Sequence, residues 1–422
     1  MTVESEEAMM KLHTAGTAVA VASLLTFNAP AAHADEVVRW NRIATEVMVA
    51  ANTDPLTESR VLAILHLAVH DALNTIERRY QTYAPAIVTR TQGSAEAAVA
   101  AAAHRTLAAL LPDCKTAIDA ELTASLAAVQ AGDFTRRGAA AGEDAAAVLL
   151  TMRAADGAAQ TTPYQAGTRP GTYRPTPPDF TPALFSHWGS VHPFALKHSS
   201  LFRPAPPPEA GSAAALDDIA IVRRIGGAKD HTRNAEQTEI ARFWYENSTQ
   251  GWNRIARDLA AAKELDMWKT ARLLALVNVA MADGFIGGFE AKYHYNYWRP
   301  ATAIREAGDA NWSSELGTPP VPDYPSTHTV LGAAAAAVLT RLFETDFVSF
   351  QMTSGAPYPG LTRRFWSFSE AALENGASRV LAGIHFPTAV RAGYEQGDRI
   401  GNYVFERFLL RADAPSTGPA TR

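Results

Sequence analysis

The sequence predicts an all-α protein of two packed helical bundles, with a functional site in the second half. Two observations support this fold class: apolar residues recur at helical spacing through most of the chain, and no convincing run shows the alternation of a β-strand. A third is size, because 422 residues, 47% of them hydrophobic, can bury a large core or two fused bundles. The formal net charge of -5 and the lack of any Lys/Arg-rich block argue against a nucleic-acid partner.

Residues 1–34 have the features of an export signal. A weakly basic start precedes an apolar run over 15–27, and Ala32-His33-Ala34 fits a small-x-small cleavage site. We therefore expect cleavage after this leader and export to the periplasm or outside the cell. The acidic residues ahead of the apolar run are unusual in a signal peptide, which leaves Met9 or Met10 as the true start, and an ordinary N-terminal helix as the alternative.

Helical periodicity and alanine-rich composition predict two groups of helices after the leader. The predicted helices are 59–78, 94–111, 115–129, 136–155, 213–224, 234–246, 252–262, 266–291, 329–343, 362–382 and 389–410. We assign 35–212 to an N-terminal helical region and 213–422 to a C-terminal helical domain that carries the site. The single cysteine, Cys114, can form no internal disulfide and is predicted to be a buried core thiol.

Two further segments need separate explanations. Residues 161–208 are dense in Pro and Gly, which predicts a long non-helical connection, and their aromatic residues favour an ordered wrap over disorder. The most apolar stretch past the leader, 271–289, is interrupted by Asn278 and Asp283, so it is predicted to be a core helix rather than a membrane span.

The first chemistry-bearing segment contains Lys292 and Arg299, followed by Pro300. If the segment is helical, the two cations lie two turns apart on one face. Cations held this close repel each other unless an anion lies between them. The alternative is a pair of surface cations beside aromatic packing.

The second segment is Ser326-Thr327-His328, which follows a proline and leads into an apolar helix. Free backbone N–H groups and a hydroxyl at a helix N-terminus can hold phosphate-like oxygens. His328 can exchange a proton near neutral pH. The alternative is a capping serine with a structural histidine.

The third segment places Arg379 six residues before His385, with apolar residues between them and Pro387 just after. An arginine in such a run is costly to bury without an anionic partner. The alternative is an arginine salt bridge beside a core histidine.

Taken in order, the three segments resemble the signature of vanadium-dependent haloperoxidases and type 2 phosphatidic acid phosphatases: Lys-x6-Arg-Pro, Pro-Ser-x-His and Ser-Arg-x5-His. The flanking stretches, 318–325 among them, resemble the soluble haloperoxidase branch. The resemblance implies that vanadate or phosphate oxygens are held by Lys292, Arg299, Ser326, Thr327 (through its backbone N–H) and Arg379. It implies that His328 is the acid–base residue and that His385 binds vanadium, or attacks phosphorus as a nucleophile.

The activity implied by this resemblance is oxidation of halide by hydrogen peroxide at a histidine-bound vanadate. The alternative is a soluble acid phosphatase, which acts on a phosphate ester through a phosphohistidine. A third reading, a non-catalytic oxyanion-binding protein, is disfavoured because pure binding requires neither His328 nor His385. The sequence leaves the oligomeric state open, with a homodimer as one alternative.

Three positions depart from the family pattern. Thr327 stands where glycine is usual, and Val321, five residues before the serine, stands where haloperoxidases often carry an aromatic residue or histidine, which puts chloride oxidation in doubt. Ala389 stands where phosphatases carry the aspartate that orients the nucleophilic histidine. Asp323 and Glu395 are the candidates to replace that carboxylate.

Other histidines are predicted to be structural. His66 and His70 have the i, i+4 spacing of a metal pair, but no glutamate follows His66 and no third ligand is evident. His294 is expected to face away from Lys292 and Arg299.

Overall fold

The computed structural model describes residues 35–85, 87 and 92–414, and nearly all regular structure in this part is helical. The helices are α1 (Glu36–Ala50), α2 (Pro55–Ile76), α3 (Ala95–Leu110), α4 (Lys115–Ala127), α5 (Asp133–Arg153), α6 (Ala213–Ile225), α7 (Ala235–Phe243), α8 (Ser248–Ala262), α9 (Met267–Tyr295), α10 (Pro300–Glu306), α11 (Thr327–Phe343), α12 (Phe368–Leu381) and α13 (Pro387–Arg407). The all-α prediction is confirmed. The predicted export signal, 1–34, lies outside the described residues and stays a prediction.

The helices form two packed groups. Helices α2, α3, α4 and α5 pack together in the N-terminal half, and α9, α11, α12 and α13 pack together in the C-terminal half. Helix α2 also packs along α9, and one hydrophobic core extends from Val37 to Leu409. Residue 213, where the predicted C-terminal domain begins, is the first residue of α6. That a domain boundary lies there stays a prediction.

Helix α9 is the central element of the C-terminal group. Asp266 caps its N-terminus by accepting a hydrogen bond from the Lys269 N–H at 3.1 Å. By length and composition α9 could cross a membrane, but nearly all of its most apolar stretch is buried inside the protein. This burial agrees with the prediction of a core helix.

The Pro/Gly-rich wrap, residues 161–208, has little regular structure and is held to the helical body by specific hydrogen bonds. The buried Asp283 carboxylate of α9 accepts from three successive backbone N–H groups, those of Phe194, Ala195 and Leu196, at 2.7 to 2.9 Å. Burial raises the pKa of Asp283 to about 6. Asp283, one of the two polar residues that interrupt the apolar stretch 271–289, therefore anchors the wrap.

The structure corrects several local predictions. Residues 362–382 were expected to be one helix, but Thr362–Phe365 form a strand, β2, paired antiparallel with β1 (Phe350–Thr353). A four-residue strand is too short to show alternation, and pairing across the hairpin overrides its local preference. Helix α1 was not predicted. Cys114 is half-buried in the turn between α3 and α4, so the prediction of a buried core thiol was wrong.

Candidate active site

Lys292 lies in the last turn of α9, which ends at Tyr295 with Asn296 in the left-handed conformation. Lys292 and Arg299 therefore do not share a helix face, because the helix stops between them. The Lys292 ammonium is fully buried and donates to the carbonyls of Pro322 and Asp323 at 2.8 and 2.9 Å. Lys292 thus braces the loop that precedes α11.

Arg299 is fully buried at the start of α10 and joins two loops. Its Nε donates to the Val321 carbonyl at 2.7 Å, and its Nη1 donates to the Ile384 carbonyl at 2.6 Å. Its Nη2 finds no hydrogen-bond partner within the part of the chain that the structure describes. Arg299 thereby positions the second and third segments and keeps one buried donor unused.

Ser326 and Thr327 begin α11. The buried Ser326 hydroxyl accepts from the Thr329 hydroxyl at 2.9 Å and does not cap the helix. A Cβ placed on Gly288 of α9 would lie 2.5 Å from the Thr327 methyl, so this methyl packs against α9. The extra bulk of threonine, relative to the usual glycine, is accommodated in this way.

His328 is tied to a residue that the sequence analysis did not single out. Its Nδ1 lies 2.8 Å from the hydroxyl of Ser248, at the start of α8. Its Nε2 has no hydrogen-bond partner among the described residues. Burial, and then the nearby Arg379, lowers the pKa of His328 well below its usual value, which favours the neutral ring.

Arg379, on α12, lies near His328. Its Nη1 donates to the Trp244 carbonyl at 3.0 Å, and its guanidinium lies 5.4 Å from the ring centre of Tyr245. Its Nε lacks a partner within the described ranges. Burial lowers the pKa of Arg379 to about 10, so the side chain stays charged at neutral pH.

His385 lies between Arg299 and Asp323. Its Nε2 is 3.2 Å from Nη1 of Arg299, and its Nδ1 is 2.9 Å from Oδ1 of Asp323, although this second contact is not aligned as a hydrogen bond. Burial, followed by the charges of Arg299 and Lys292, lowers the pKa of His385 well below its usual value. The ring is therefore neutral at pH 7, and its Nε2 lone pair, which accepts from Arg299 in this structure, is the one that a metal or phosphorus atom would take.

Ala389 stands where phosphatases carry an aspartate, and the structure shows which of the two candidate carboxylates, Asp323 or Glu395, lies beside His385. Asp323 is fully buried beside His385, and burial raises its pKa to about 7 against the opposing pull of Arg299 and Lys292. Glu395 is exposed on α13 and lines a different groove. Asp323 is the carboxylate that contacts His385.

Five of the seven predicted site residues line one cavity of about 500 Å³: Arg299, Thr327, His328, Arg379 and His385. Lys292 and Ser326 are fully buried in adjoining positions and do not line it. The remaining walls are mostly apolar and come from the start of α2, α9, the wrap, the connection from α7 to α8 and the loop before α11. Sequence reasoning missed these walls, because they derive from distant segments without a local signature.

The donor set fits a tetrahedral oxyanion. Arg299 and Arg379 each keep one buried guanidinium nitrogen, and His328 one ring nitrogen, without a hydrogen-bond partner in the described part of the chain, which is an arrangement that a bound anion would satisfy. A neutral His385 nitrogen would help to hold such an anion. Vanadate and phosphate both have the required shape and charge.

His66 and His70 are not among the residues that line this cavity. His66 and His70 are fully buried and bond to Asn41 and to Asp71 and Asn74, respectively. No group of three His, Cys, Asp or Glu side chains suited to a metal ion occurs among the described residues.

Comparison with known proteins supports the predicted resemblance. Residues 272–412 match the family model described as the VCPO second helical-bundle domain. A curated relative, vanadium chloroperoxidase of Curvularia inaequalis, is 27% identical over 248 residues, which is 42% of this chain and 41% of the relative, so the match spans less than half of that protein.

Two solved structures extend the similarity over most of the chain. A bacterial vanadium-dependent iodoperoxidase matches with a TM-score of 0.81 and 28% identity, covering 90% of this chain and 97% of that one. The apo form of a bacterial vanadium-dependent chloroperoxidase matches with a TM-score of 0.71 at 17% identity, covering 84% and 94%, which bears on the fold alone. The resemblance to vanadium-dependent haloperoxidases and their fold is confirmed.

Proposed function

We propose that this protein is a vanadium-dependent haloperoxidase that oxidises a halide with hydrogen peroxide. The observation that carries the proposal is the convergence of Arg299, Arg379, His328 and His385 on one cavity with donor nitrogens left unused. The similarity to a bacterial vanadium-dependent iodoperoxidase over 90% of the chain supports it. Bound vanadate would supply the centre at which peroxide is activated for attack by halide.

The chain's own residues have distinct tasks in this proposal. His385 would hold the cofactor through Nε2, and Arg299 and Arg379 would offset the negative charge on its oxygens. Lys292, with its ammonium on the loop carbonyls, adds positive charge and fixes the loop that leads to Ser326. His328, tethered through Nδ1, carries protons at Nε2 to and from the reacting oxygens.

A phosphatase is the second candidate, and the contact between Asp323 and His385 favours it. A carboxylate 2.9 Å from Nδ1 can orient the ring, so that Nε2 can attack phosphorus as the ester P–O bond breaks, and His328, once it has taken up a proton, protonates the departing alcohol. Asp323→Asn is predicted to lower any phosphatase rate at least about tenfold. A wild-type rate in that variant would remove this support.

The test is an assay of the purified protein with and without added orthovanadate, monitoring peroxide-dependent bromination or iodination of a phenol dye. Vanadate-dependent halogenation that free phosphate suppresses would support the haloperoxidase. Hydrolysis of nitrophenyl phosphate, inhibited by vanadate and without halogenation, would favour the phosphatase. Vanadate binding with neither activity would favour the oxyanion-binding protein. Because Val321 offers no aromatic ring or imidazole, we expect bromide or iodide to be used in preference to chloride.

We also propose that the protein is exported by means of residues 1–34. The support is the sequence pattern of the leader. Expression in a bacterial host, followed by N-terminal sequencing of the exported fraction, tests this, and a product that retains the leader in the cytoplasm would contradict it.

A further inference from the structure

The active-site cavity has an extensive apolar wall and is larger than a halide and a peroxide require. This apolar wall is formed by Phe285 and Phe289 of α9, Leu184 and Phe185 of the wrap, and the loop residues 319–321, while Asp54, Glu246 and Asn247 add polar groups elsewhere in the lining. The whole cavity is about 500 Å³, within the range of sites that bind organic molecules. A halide or a peroxide needs only a few times the roughly 30 Å³ of a water molecule. The remaining space is suited to an organic molecule.

The aromatic residues of this wall form an edge-to-face series. The rings of Phe285 and Phe289 lie 6.1 Å apart between centres at an angle of 63°, and those of Phe185 and Phe289 lie 6.4 Å apart at 82°. Aromatic rings attract one another in this geometry beyond the gain from area burial. A planar aromatic guest would extend the series, whereas a saturated guest of equal size would gain only the hydrophobic term.

Phe185 is held in place by a strained backbone. Its φ of 57° lies in the left-handed region, which a bulky side chain adopts only when its surroundings impose it. Here the Leu184 N–H donates to the Pro320 carbonyl at 3.0 Å, the Tyr293 hydroxyl donates to the Leu184 carbonyl, and the Trp188 N–H donates to the Phe185 carbonyl at 2.9 Å. This fixed turn brings an aromatic side chain to the cavity that Val321 also lines.

We propose that this apolar wall binds a planar aromatic molecule that carries an oxygen, of the phenol class, against Phe185 and Phe289 with the oxygen towards Arg299 and Arg379. The inference rests on the proposed function, because the aromatic is either the acceptor of the oxidised halogen or the leaving group of a phosphate ester. As acceptor, the ring loses a proton to water and gains a carbon–halogen bond. The halide loses two electrons, and hydrogen peroxide takes them, with two protons, one replacing the ring's and one from solvent, to form two molecules of water.

The experiment measures equilibrium binding of 2-naphthol to the full chain by titration calorimetry, without peroxide or halide. Wild-type protein is expected to bind it saturably and more tightly than decahydro-2-naphthol, its saturated counterpart. Phe185→Ala is expected to raise the Kd about tenfold, the scale of one aromatic contact. Phe180→Ala is the matched control, since Phe180 lies in the same wrap, also has a left-handed φ (50°), and is exposed away from the cavity.

Phe289→Leu provides a second variant that keeps apolar volume while removing a ring, and it is also expected to weaken 2-naphthol binding. The inference is overturned if wild-type protein does not bind 2-naphthol, if it binds the saturated alcohol equally well, or if both cavity variants bind like the wild type. Bromination of 2-naphthol that rises linearly with its concentration, without measurable binding, would overturn the inference and leave the haloperoxidase proposal intact.

The two roles of the aromatic are separated by turnover. Bromination of 2-naphthol with a KM near its Kd identifies a halogen acceptor, and faster hydrolysis of 2-naphthyl phosphate than of glycerol phosphate identifies an ester. Binding that depends on Phe185, with neither reaction, would support the aromatic site and contradict the proposed function.

Discussion

Among the described residues, the amide cluster and the active-site cluster are two of the buried polar groups that contain histidine, and they differ in whether their hydrogen bonds are complete. The amide cluster consists of Asn41, His66, Asn253 and Asn278. Asn41 donates to Asn253 at 2.7 Å and contacts His66 at 2.6 Å, while Asn253 and Asn278 exchange hydrogen bonds at 2.8 Å. Only Nδ1 of His66 lacks a partner among these four side chains, within the described residues. The cluster is a nearly closed network.

The active-site cluster is open by contrast. Nη2 of Arg299, Nε of Arg379 and Nε2 of His328 are buried, and none has a partner in the described ranges of the chain. Burial lowers the pKa of His66 to about 3 and also lowers that of His328 and His385. A depressed histidine pKa is therefore common to both clusters, and unused donors beside fixed cations are what distinguish a site that binds an anion.

The largest expected effect is that of His385→Ala. This change removes the proposed cofactor ligand or nucleophile, and we predict a loss of halogenating or phosphatase activity of at least about a thousandfold with the fold intact. Activity assays paired with circular dichroism check it. His66→Ala is the matched control in the amide cluster, where activity per folded molecule should persist. Full activity in His385→Ala would refute the assigned role.

Asn253→Leu should lower stability and retain activity per folded molecule, which is the opposite of what we expect for His385→Ala. Asn253 is fully buried and bonds to both Asn41 and Asn278, so its loss removes hydrogen bonds from two buried amides and takes away the donor to Oδ1 of Asn278. We predict that the free energy of unfolding falls by roughly 3–5 kcal/mol, with activity per folded molecule retained. Urea denaturation measures the first quantity, and Asn402→Ala, which removes only a local bond to Asp398, serves as the control. A small loss of stability together with a loss of activity would contradict the distinction between the amide cluster and the active-site cluster.

Glu58 tests how burial changes the pKa of a carboxylate and, through it, the stability of the protein. It is buried on α2, accepts from Asn247 and Gln250, and burial raises its pKa to about 7. Because the folded pKa exceeds that of the unfolded chain, this residue's contribution to stability is greatest below about pH 4.5 and is lost as the pH rises towards 7. We predict that Glu58→Gln stabilises the protein at pH 8 by roughly 2–3 kcal/mol relative to its effect at pH 4.5.

Urea titrations of both proteins at the two pH values measure this difference. Gln keeps an oxygen that accepts from the same two amides, so the hydrogen bonds are preserved as far as chemistry allows. An equal shift at pH 4.5 and pH 8 would contradict the proposed cause.

The sequence predicted the cations and histidines of the site because each lies in a short motif with fixed spacing. It could not predict how they meet: the helix that carries Lys292 ends before Arg299, and long-range contacts bring the loops together. Phe185 and Ser248 were missed for the same reason, since neither has a local signature and each lies far along the chain from the residues it serves. The helical core was predictable from periodicity, while the four-residue strands were too short to show a pattern.

Ser248, one of the residues that the sequence motifs did not identify, gives the smallest expected effect. Its hydroxyl contacts Nδ1 of His328 at 2.8 Å and fixes the ring so that Nε2 stays free for proton transfer. We predict that Ser248→Ala lowers kcat about tenfold, the value of one hydrogen bond, while the KM for peroxide changes little. Ser248→Thr, which keeps the hydroxyl, should restore most of the rate. Thr249→Val is the matched control, because it removes a neighbouring buried hydroxyl that has no side-chain partner among the described residues. If the Ser248→Ala and Thr249→Val variants have equal kcat, the tether does not orient His328, and the ring must be positioned by packing alone.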